Sequence, residues 1–501
     1  MAHETELKLA LPESAQRSFL RHPMLMQAVD KSCSRLINLY YDTPQLELRQ
    51  RGVCLRLRAD GQHWLQTIKC RGDASGGLSR RPEWETPYSG RFDFAVVDDD
   101  DLRRWLQRPR LKTAITPIFE TNFERRLWLF APAPQQRFAL MLDRGWIAAA
   151  GRRETICELE IELIEGDAAL LLEQATRLAA DIATAPAMLS KADRGYLLFA
   201  NRSLQPVKAT PVACERDEAP LVAFRRIAFA CLDHMQHNHP GAISSDDPEY
   251  IHQMRVATRR LRAALRLFAP LLPPDFTAPL LPDLRRLMSV LGHARDLDVL
   301  QAEIAEPVLL ALPDEPRLAA LVGVITEQRF GARRTAMRFL NSPQYGAMIL
   351  RVMLALQHLP SQDATATPCL GDFSARRLRR LRKNTLACAA RATANDPVSL
   401  HTLRIAIKRL RYGLEFFQSL LKARPLRRNL DHLEALQDTL GQINDLANAG
   451  ALLMACAGND PNLRESVTLI GGWHGLRHQA LLRSTPKQLR RLGDLKVARL
   501  R

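Results

Sequence analysis

Glu4-Thr5-Glu6-Leu7-Lys8, almost at the start of the chain, alternates charged with uncharged side chains. A strand places successive side chains on opposite faces, so Glu4, Glu6 and Lys8 share one face and Thr5 and Leu7 the other. Two carboxylates and an ammonium in line are costly to bury unless they bind something. A divalent cation carrying a polyanion satisfies all three, the carboxylates taking the metal and the lysine a phosphoryl oxygen. Taken alone, the pentapeptide fits an ordinary strand with its charged face in water better. The later strands decide.

Residues 1–200 read mainly as short alternating segments at 4–9, 53–58, 64–69, 123–129, 139–143 and 156–163, with turn residues such as Asp60-Gly61 between some of them. A helix is predicted over about 167–181. Charge recurs at alternate positions: Arg56 and Arg58; Arg81, Glu83 and Glu85; Glu158, Glu160 and Glu162. Lys69, Arg125 and Asp143 lie on further strands. If the strands close into a barrel, one face points inward. The charged positions then line a lumen with carboxylates for divalent metal and bases for phosphates. The alternative is a sheet packed on a helix with its charged face in water. All strands considered together favour the lumen.

At 501 residues the chain exceeds one hydrophobic core, and two or three domains are expected. A hydrophobic content of 46% excludes a disordered chain. No run of 18 apolar residues occurs and the start is polar and acidic, so neither a membrane span nor a secretory signal is expected. Nine scattered cysteines without a Cys-x-x-Cys pair fit reduced thiols in the cytoplasm. Charge is uneven: residues 1–200 carry 28 bases and 27 acids, whereas 201–501 carry 43 and 27. The second part therefore expects a polyanion partner.

Residues 201–220 hold Pro206, Pro211 and Pro220 with little periodicity and read as a linker, after which the pattern turns helical. This part repeats internally. His252-x-x-Arg255-x-x-x-Arg259-Arg260-Leu261-Arg262 recurs as His401-x-x-Arg404-x-x-x-Lys408-Arg409-Leu410-Arg411, and Leu291-Gly292-x-x-x-Asp296-Leu297 as Leu440-Gly441-x-x-x-Asp445-Leu446. Both pairs share an offset of 149 residues, the mark of a duplicated helical unit. The seam is expected near 360–371. On a helix His252, Arg255, Arg259, Arg262 and Arg266 fall in a stripe roughly 80° wide. His401, Arg404, Lys408 and Arg411 repeat it, with Glu415 in place of the fifth cation. Cations four apart repel unless an anion neutralises them. One histidine per helix is poor metal spacing, so hydrogen bonding to phosphate or structural duty suits them better. Few aromatics accompany the stripes, which disfavours nucleic acid.

His3-Glu4-Thr5-Glu6-Leu7-Lys8, Tyr40-Tyr41-Asp42-Thr43-Pro44, Leu55-Arg56-Leu57-Arg58, Thr67-Ile68-Lys69, Cys157-Glu158-Leu159-Glu160 and Ser190-Lys191-Ala192-Asp193-Arg194-Gly195-Tyr196 together resemble a CYTH domain, of the triphosphate tunnel metalloenzyme superfamily. The resemblance implies an eight-stranded antiparallel β-tunnel with flanking helices that hydrolyses or cyclises triphosphates with magnesium or manganese, two ions being expected. It implies a triphosphate clamp of Lys8, Arg56, Arg58, Lys69, Arg125 and Lys191. Metal ligands would be Glu4, Glu6, Glu83, Asp143, Glu158 and Glu160. Glu85 and Glu162 lie beside better matches, and Arg126 rivals Arg125. No Gly-x-x-x-x-Gly-Lys-Ser/Thr loop is present, against a P-loop enzyme.

The two His/Arg helices with Arg295-Asp296-Leu297-Asp298 and Asn444-Asp445-Leu446 resemble a CHAD domain. That resemblance implies two pseudo-symmetric four-helix bundles that bind inorganic polyphosphate through His252, Arg255, Arg259, Arg262, Arg266, His401, Arg404, Lys408 and Arg411. The expected organisation is a tunnel domain at 1–203, a linker at 204–219 and an all-α domain at 220–495, with repeats at about 220–358 and 370–495. The pairing of the two domains favours hydrolysis of tripolyphosphate to pyrophosphate and phosphate. The alternatives are an adenylate cyclase of the CYTH type, another nucleoside or thiamine triphosphate hydrolase, and a polyphosphate scaffold without turnover.

Overall fold

A computed structural model describes residues 2–60, 63–75, 77–360, 368–394 and 396–493. Ten strands form the N-terminal sheet: β1 (Ala2–Ala10), β2 (Asp30–Asp42), β3 (Val53–Asp60), β4 (His63–Cys70), β5 (Asp73–Ser75), β6 (Leu78–Pro87), β7 (Thr116–Ala133), β8 (Gln136–Ala149), β9 (Arg152–Glu165) and β10 (Ala185–Pro186). Their order is β10-β1-β9-β8-β7-β2-β3-β4-β6-β5, and β1 also pairs with β6. Eight strands therefore close into an antiparallel barrel, with β5 and β10 as short additions.

The barrel is inside out in polarity. Leu7, Leu9, Leu55, Ile68, Leu140, Leu142, Leu159 and Ile161 are fully buried on the outer face. Helix α1 (Ala168–Asp181), capped by Asp167, packs its Leu170, Leu171, Leu172 and Leu178 face on β1 and β9. The segment carrying Phe94, Val97, Leu102, Leu106 and Leu111 covers β3 and β4. With the apolar positions facing outward under these covers, the alternating charged positions must face the lumen.

Helix α2 (Lys191–Phe199) begins with a capping box: Ser190 Oγ accepts from the Asp193 N–H at 3.1 Å, and the Asp193 carboxylate accepts from the Ser190 N–H at 3.1 Å. That pins Lys191 at the first helical position. A Cβ on Gly195 would lie 2.2 Å from the Phe119 ring, so glycine lets α2 close on the barrel.

The helical part contains α3 (Pro220–Ser244), α4 (Pro248–Phe268), α5 (Leu280–Val299), α6 (Pro316–Leu340), α7 (Pro343–Gln357), α8 (Leu370–Arg391), α9 (Pro397–Phe416), α10 (Ala423–Ala457) and α11 (Pro461–Leu492). The repeat is visible in the caps. Asp247 and Asp396, 149 residues apart, each accept an N–H at the start of α4 and α9, and each is followed by proline at the first helical position. After α5 the helix widens into a π-turn at Leu300–Ala305, next to Pro307, which has no N–H to give. The expected seam near 360–371 lies partly outside the described residues.

The chain divides into two compact units that are not contiguous in sequence. The first holds 1–206 with 239–243 and 339–358; the second holds 207–238, 244–338 and 359 onward. Helix α7 belongs to the first unit because it packs on α1 and β10. A Cβ on Gly346 would lie 1.6 Å from the Thr184 carbonyl oxygen, and Tyr345 stacks on His239 at 4.9 Å between ring centroids. Among the described residues no helix is long and apolar enough to cross a membrane.

Candidate active site

The lumen is a cavity of about 310 Å³. Glu4, Glu6 and Lys8 reach it from β1, Arg56 and Arg58 from β3, Lys69 from β4, Arg81 from β6, Arg125 from β7, Glu160 and Glu162 from β9, and Lys191 from α2. Register explains who meets whom: Glu4 lies opposite Arg81, Lys69 opposite Glu83, Lys8 opposite Glu160 and Arg125 opposite Asp143.

Two acidic groups result. In one, Lys69 Nζ lies 2.7 Å from Glu4 and 3.0 Å from Glu83, while Arg81 pairs with Glu4 at 3.1 Å and also with Glu6. In the other, Lys191 Nζ lies 2.6 Å from Asp143, 2.6 Å from Glu158 and 3.1 Å from Glu160. Arg125 donates through Nε and Nη2 to Asp143 at 2.7 and 2.6 Å and also to Glu160. Lys8 joins the two groups, pairing with Glu6 and lying 3.8 Å from Glu160.

These contacts set the charges. Burial alone would raise the Glu4 carboxyl, but Lys69 and Arg81 outweigh it and hold it down to about 2. Burial likewise opposes ionisation of Glu160, yet Lys191 and Arg125 keep it well below the usual carboxylate range. The Lys191 ammonium is raised: Asp143, Glu158 and Glu160 outweigh its burial. Glu162 differs, pushed up to about 7 by burial and then by Glu4, with Lys69 opposing.

Two cations are matched less closely by carboxylates: burial lowers Arg56 but Tyr40 and Glu83 outweigh it, whereas Arg58 stays lowered. Arg58 donates Nε to Asn38 at 3.1 Å and has no ion pair among the described residues; burial, then Arg56 and Arg125, lower it to about 10. Arg56 Nε is buried without a hydrogen-bond partner, and the side chain reaches Glu83 only at 3.8 Å. An anion entering the lumen would satisfy both.

The Asp143, Glu158 and Glu160 oxygens lie within 4.8 Å of one another, all three residues being buried. Three convergent hard oxygen donors fit a divalent cation of the magnesium or manganese class. Glu4, Glu6 and Glu83 form the separate acidic group rather than joining them. Thus every residue expected in the tunnel reaches it or pairs with a group that does. Arg125 is on the lumen face, whereas Arg126 is half exposed and pairs with Glu124 at 2.8 Å. Glu85 accepts from Thr67 Oγ1 at 3.1 Å.

In the second unit the expected stripe splits. His252, Arg255 and Arg259 of α4 share one field with Arg404 and Lys408 of α9. Burial, then Arg259 and Arg404, push Lys408 down to about 7, and burial, then Arg295, push His252 to about 4. Arg259 Nε and Arg404 Nε are buried without partners. Arg255 Nη1 donates to the Gly292 carbonyl at 2.7 Å and pairs with Asp296 at 3.3 Å. The repeated Leu-Gly step gives that arginine room, a Cβ on Gly292 lying 3.3 Å from Nη1.

The other expected residues have their main neighbours outside this group of cations. Arg262 is a neighbour of Arg285, and Arg266 of Arg262 and Arg409. Arg411 reaches Glu415 and Glu434 at 3.5 Å, and Glu415 is itself held by Arg260. The ring of His401 meets Asn444 Oδ1 at 3.0 Å, where His252 instead faces the cation of Arg295.

Residues 2–196 match the CYTH domain family and residues 226–454 the CHAD domain family. The crystal structure of the CHAD domain from the plant Ricinus communis is 34% identical with a TM-score of 0.51, covering 60% of this chain and all of that one. The chain is a CYTH–CHAD protein. An inorganic triphosphatase of Haemophilus influenzae is 29% identical over 204 residues, which is 41% of this chain and 57% of that relative. An uncharacterised protein of Mycobacterium tuberculosis is 25% identical over 451 residues, 82% of this chain and 81% of that protein.

The sequence reading put Arg81 on a charged strand face and Arg194 in a motif but gave neither cation a place in the clamp or against the metal ligands. Arg81 shares the face of Glu83 and lies opposite Glu4, a register that closure of β1 on β6 creates and strand parity alone does not. Arg194 sits one turn after Lys191 and pairs with Glu154 at 2.6 Å and Glu158 at 3.0 Å; its i,i+3 spacing from Lys191 was the available signal.

Proposed function

We propose that the CYTH domain is a metal-dependent inorganic triphosphatase that hydrolyses tripolyphosphate to pyrophosphate and phosphate. What carries this reading is the lumen's charge pattern: nearly balanced acids and bases, with Arg56 and Arg58 left without full partners. A triphosphate alone would leave the carboxylates uncompensated, and a metal alone would leave the bases so. Together they keep the lumen neutral, the bases turning to phosphoryl oxygens as the acids turn to cations.

Asp143, Glu158 and Glu160 would hold one divalent ion, and Glu4, Glu6 and Glu83 are the candidate set for a second. When bound, such ions withdraw charge from phosphoryl oxygens and acidify a coordinated water. Lys8, Arg56, Arg58, Lys69, Arg125 and Lys191 hold the chain extended and neutralise charge on the leaving pyrophosphate. The capping box fixes Lys191, and β1 fixes Lys8 between the two acidic groups. The test is product analysis after incubation with tripolyphosphate and with ATP, each with magnesium. Phosphate and pyrophosphate from tripolyphosphate, faster than any product from ATP, is the expected result. Cyclic AMP as the main product would establish the cyclase reading, and no turnover of either the scaffold reading.

In the CHAD domain we assign polyphosphate binding to the groove of His252, Arg255, Arg259, Arg404 and Lys408. Neutral His252 can donate or accept a hydrogen bond without adding repulsion. Unchanged affinity for long-chain polyphosphate after Arg255, Arg259, Arg404 and Lys408 are together replaced by alanine would overturn this assignment.

A further inference from the structure

Arg266, which stands apart from the cations around Lys408, meets two other arginines in the second unit. A cavity of about 170 Å³ lies among α4, α8 and α9, with Arg266, Arg377 and Arg409 on its wall and Leu267, Leu381 and Phe416 as its apolar lining. No acidic residue lines it. Arg266 and Arg409 make no side-chain hydrogen bond or ion pair with any described residue. Arg377 spends Nη2 on the Arg266 carbonyl oxygen at 3.0 Å, which leaves its Nε buried and unpartnered. Burial, then Arg262 and Arg409, lower the Arg266 guanidinium, and burial, then Arg380, lower that of Arg377. Three guanidiniums on one cavity wall, with no acid among its lining residues and with Arg409 opposing the charge of Arg266, are an arrangement that an anion relieves.

The shape narrows the class of anion. Guanidinium forks match phosphate oxygens in pairs, so a phosphate dianion uses the donors better than a monoanion does. A pocket of this size with an apolar lining suits one phosphate group and a small apolar substituent, rather than a run of charged phosphates. None of His252, Arg255, Arg259, Arg404 or Lys408 reaches it. We propose that this cavity is a second anion site of the chain, separate from the groove, which takes the phosphate of a small phosphomonoester on Arg266, Arg377 and Arg409 and its apolar part on Leu267, Leu381 and Phe416. The site does not depend on what the groove or the tunnel binds.

Phenyl phosphate, inorganic phosphate and long-chain polyphosphate are the probes, titrated calorimetrically into the full-length protein and into Arg409→Ala and Arg377→Ala. Phenyl phosphate should bind the unaltered chain at least about tenfold tighter than inorganic phosphate. Each variant should lose about tenfold or more of that affinity, while polyphosphate affinity and tripolyphosphate hydrolysis change less than about twofold. Arg409 is exposed, so its replacement spares the fold; circular dichroism and the melting temperature check Arg377→Ala. Three results would each overturn the proposal: no binding of phenyl phosphate, binding no tighter than inorganic phosphate, or binding that survives Arg409→Ala in a folded protein. Parallel loss of phenyl phosphate and polyphosphate in both variants would also overturn it, by making the pocket an extension of the groove.

Discussion

Arg58 and Lys408 occupy similar positions in the two domains: each is a cation held among other cations, and each is depressed by burial first and by neighbouring arginines next. Losing one charge-assisted contact of this kind is worth about 1.5–3 kcal/mol. Arg58→Ala should therefore raise the KM for tripolyphosphate by about ten- to a hundredfold, with the melting temperature unchanged or higher, as steady-state kinetics and calorimetry can check. Lys408 adds a pH dependence. Its folded value of about 7 lies below that of an unfolded lysine, so folding releases a proton between the two values and stability rises with pH across that window. A bound polyanion favours the charged form, so polyphosphate binding should take up a proton near pH 7 and weaken as pH rises from 6 to 8. Calorimetry in buffers of different ionisation enthalpy measures the uptake. Lys408→Arg, which stays charged, should abolish it.

Among the elements, β1 and β9 were legible because of their alternation: Leu7 and Leu9 against Glu4, Glu6 and Lys8, and Leu159, Ile161 and Leu163 against Glu158, Glu160 and Glu162. The first half of β2 was not, since residues 30–35 are exposed and carry no apolar alternation; that strand exists through its long pairing with β7. Nor could sequence spacing assign α7, whose Tyr345, Met348, Ile349, Val352 and Met353 are buried in the first unit although the helix falls within the first expected repeat, 220–358. The lumen face was readable one strand at a time, but the division of its acids into two groups needed the register. Helix α2 offers a direct test of how the fold places a site residue. In Gly195→Ala the new methyl meets the Phe119 ring, so a loss of about 1–3 kcal/mol is expected, with a lower melting temperature and weaker tripolyphosphate hydrolysis as Lys191 shifts. An unchanged melting temperature would mean that α2 does not seal the barrel as described.

For the whole molecule, the interleaving of the chain matters as much as the charge difference between its halves. A fragment ending at residue 206 contains every tunnel residue yet lacks α7, which covers α1 in the first unit. That fragment should melt lower than the tunnel in the full chain and aggregate through the bared α1 face, whereas adding a peptide of residues 339–358 should recover part of the difference. Thermal melts followed by light scattering decide it. The proposed triphosphatase activity requires that the tunnel's balanced acids and bases hold a metal-bound triphosphate. Phosphate release from tripolyphosphate with magnesium, measured for the wild type beside Glu160→Gln, tests it most directly. Clear turnover is expected in the wild type and a loss of about a hundredfold in the variant, with the variant still folded. Equal rates in the two proteins would contradict it.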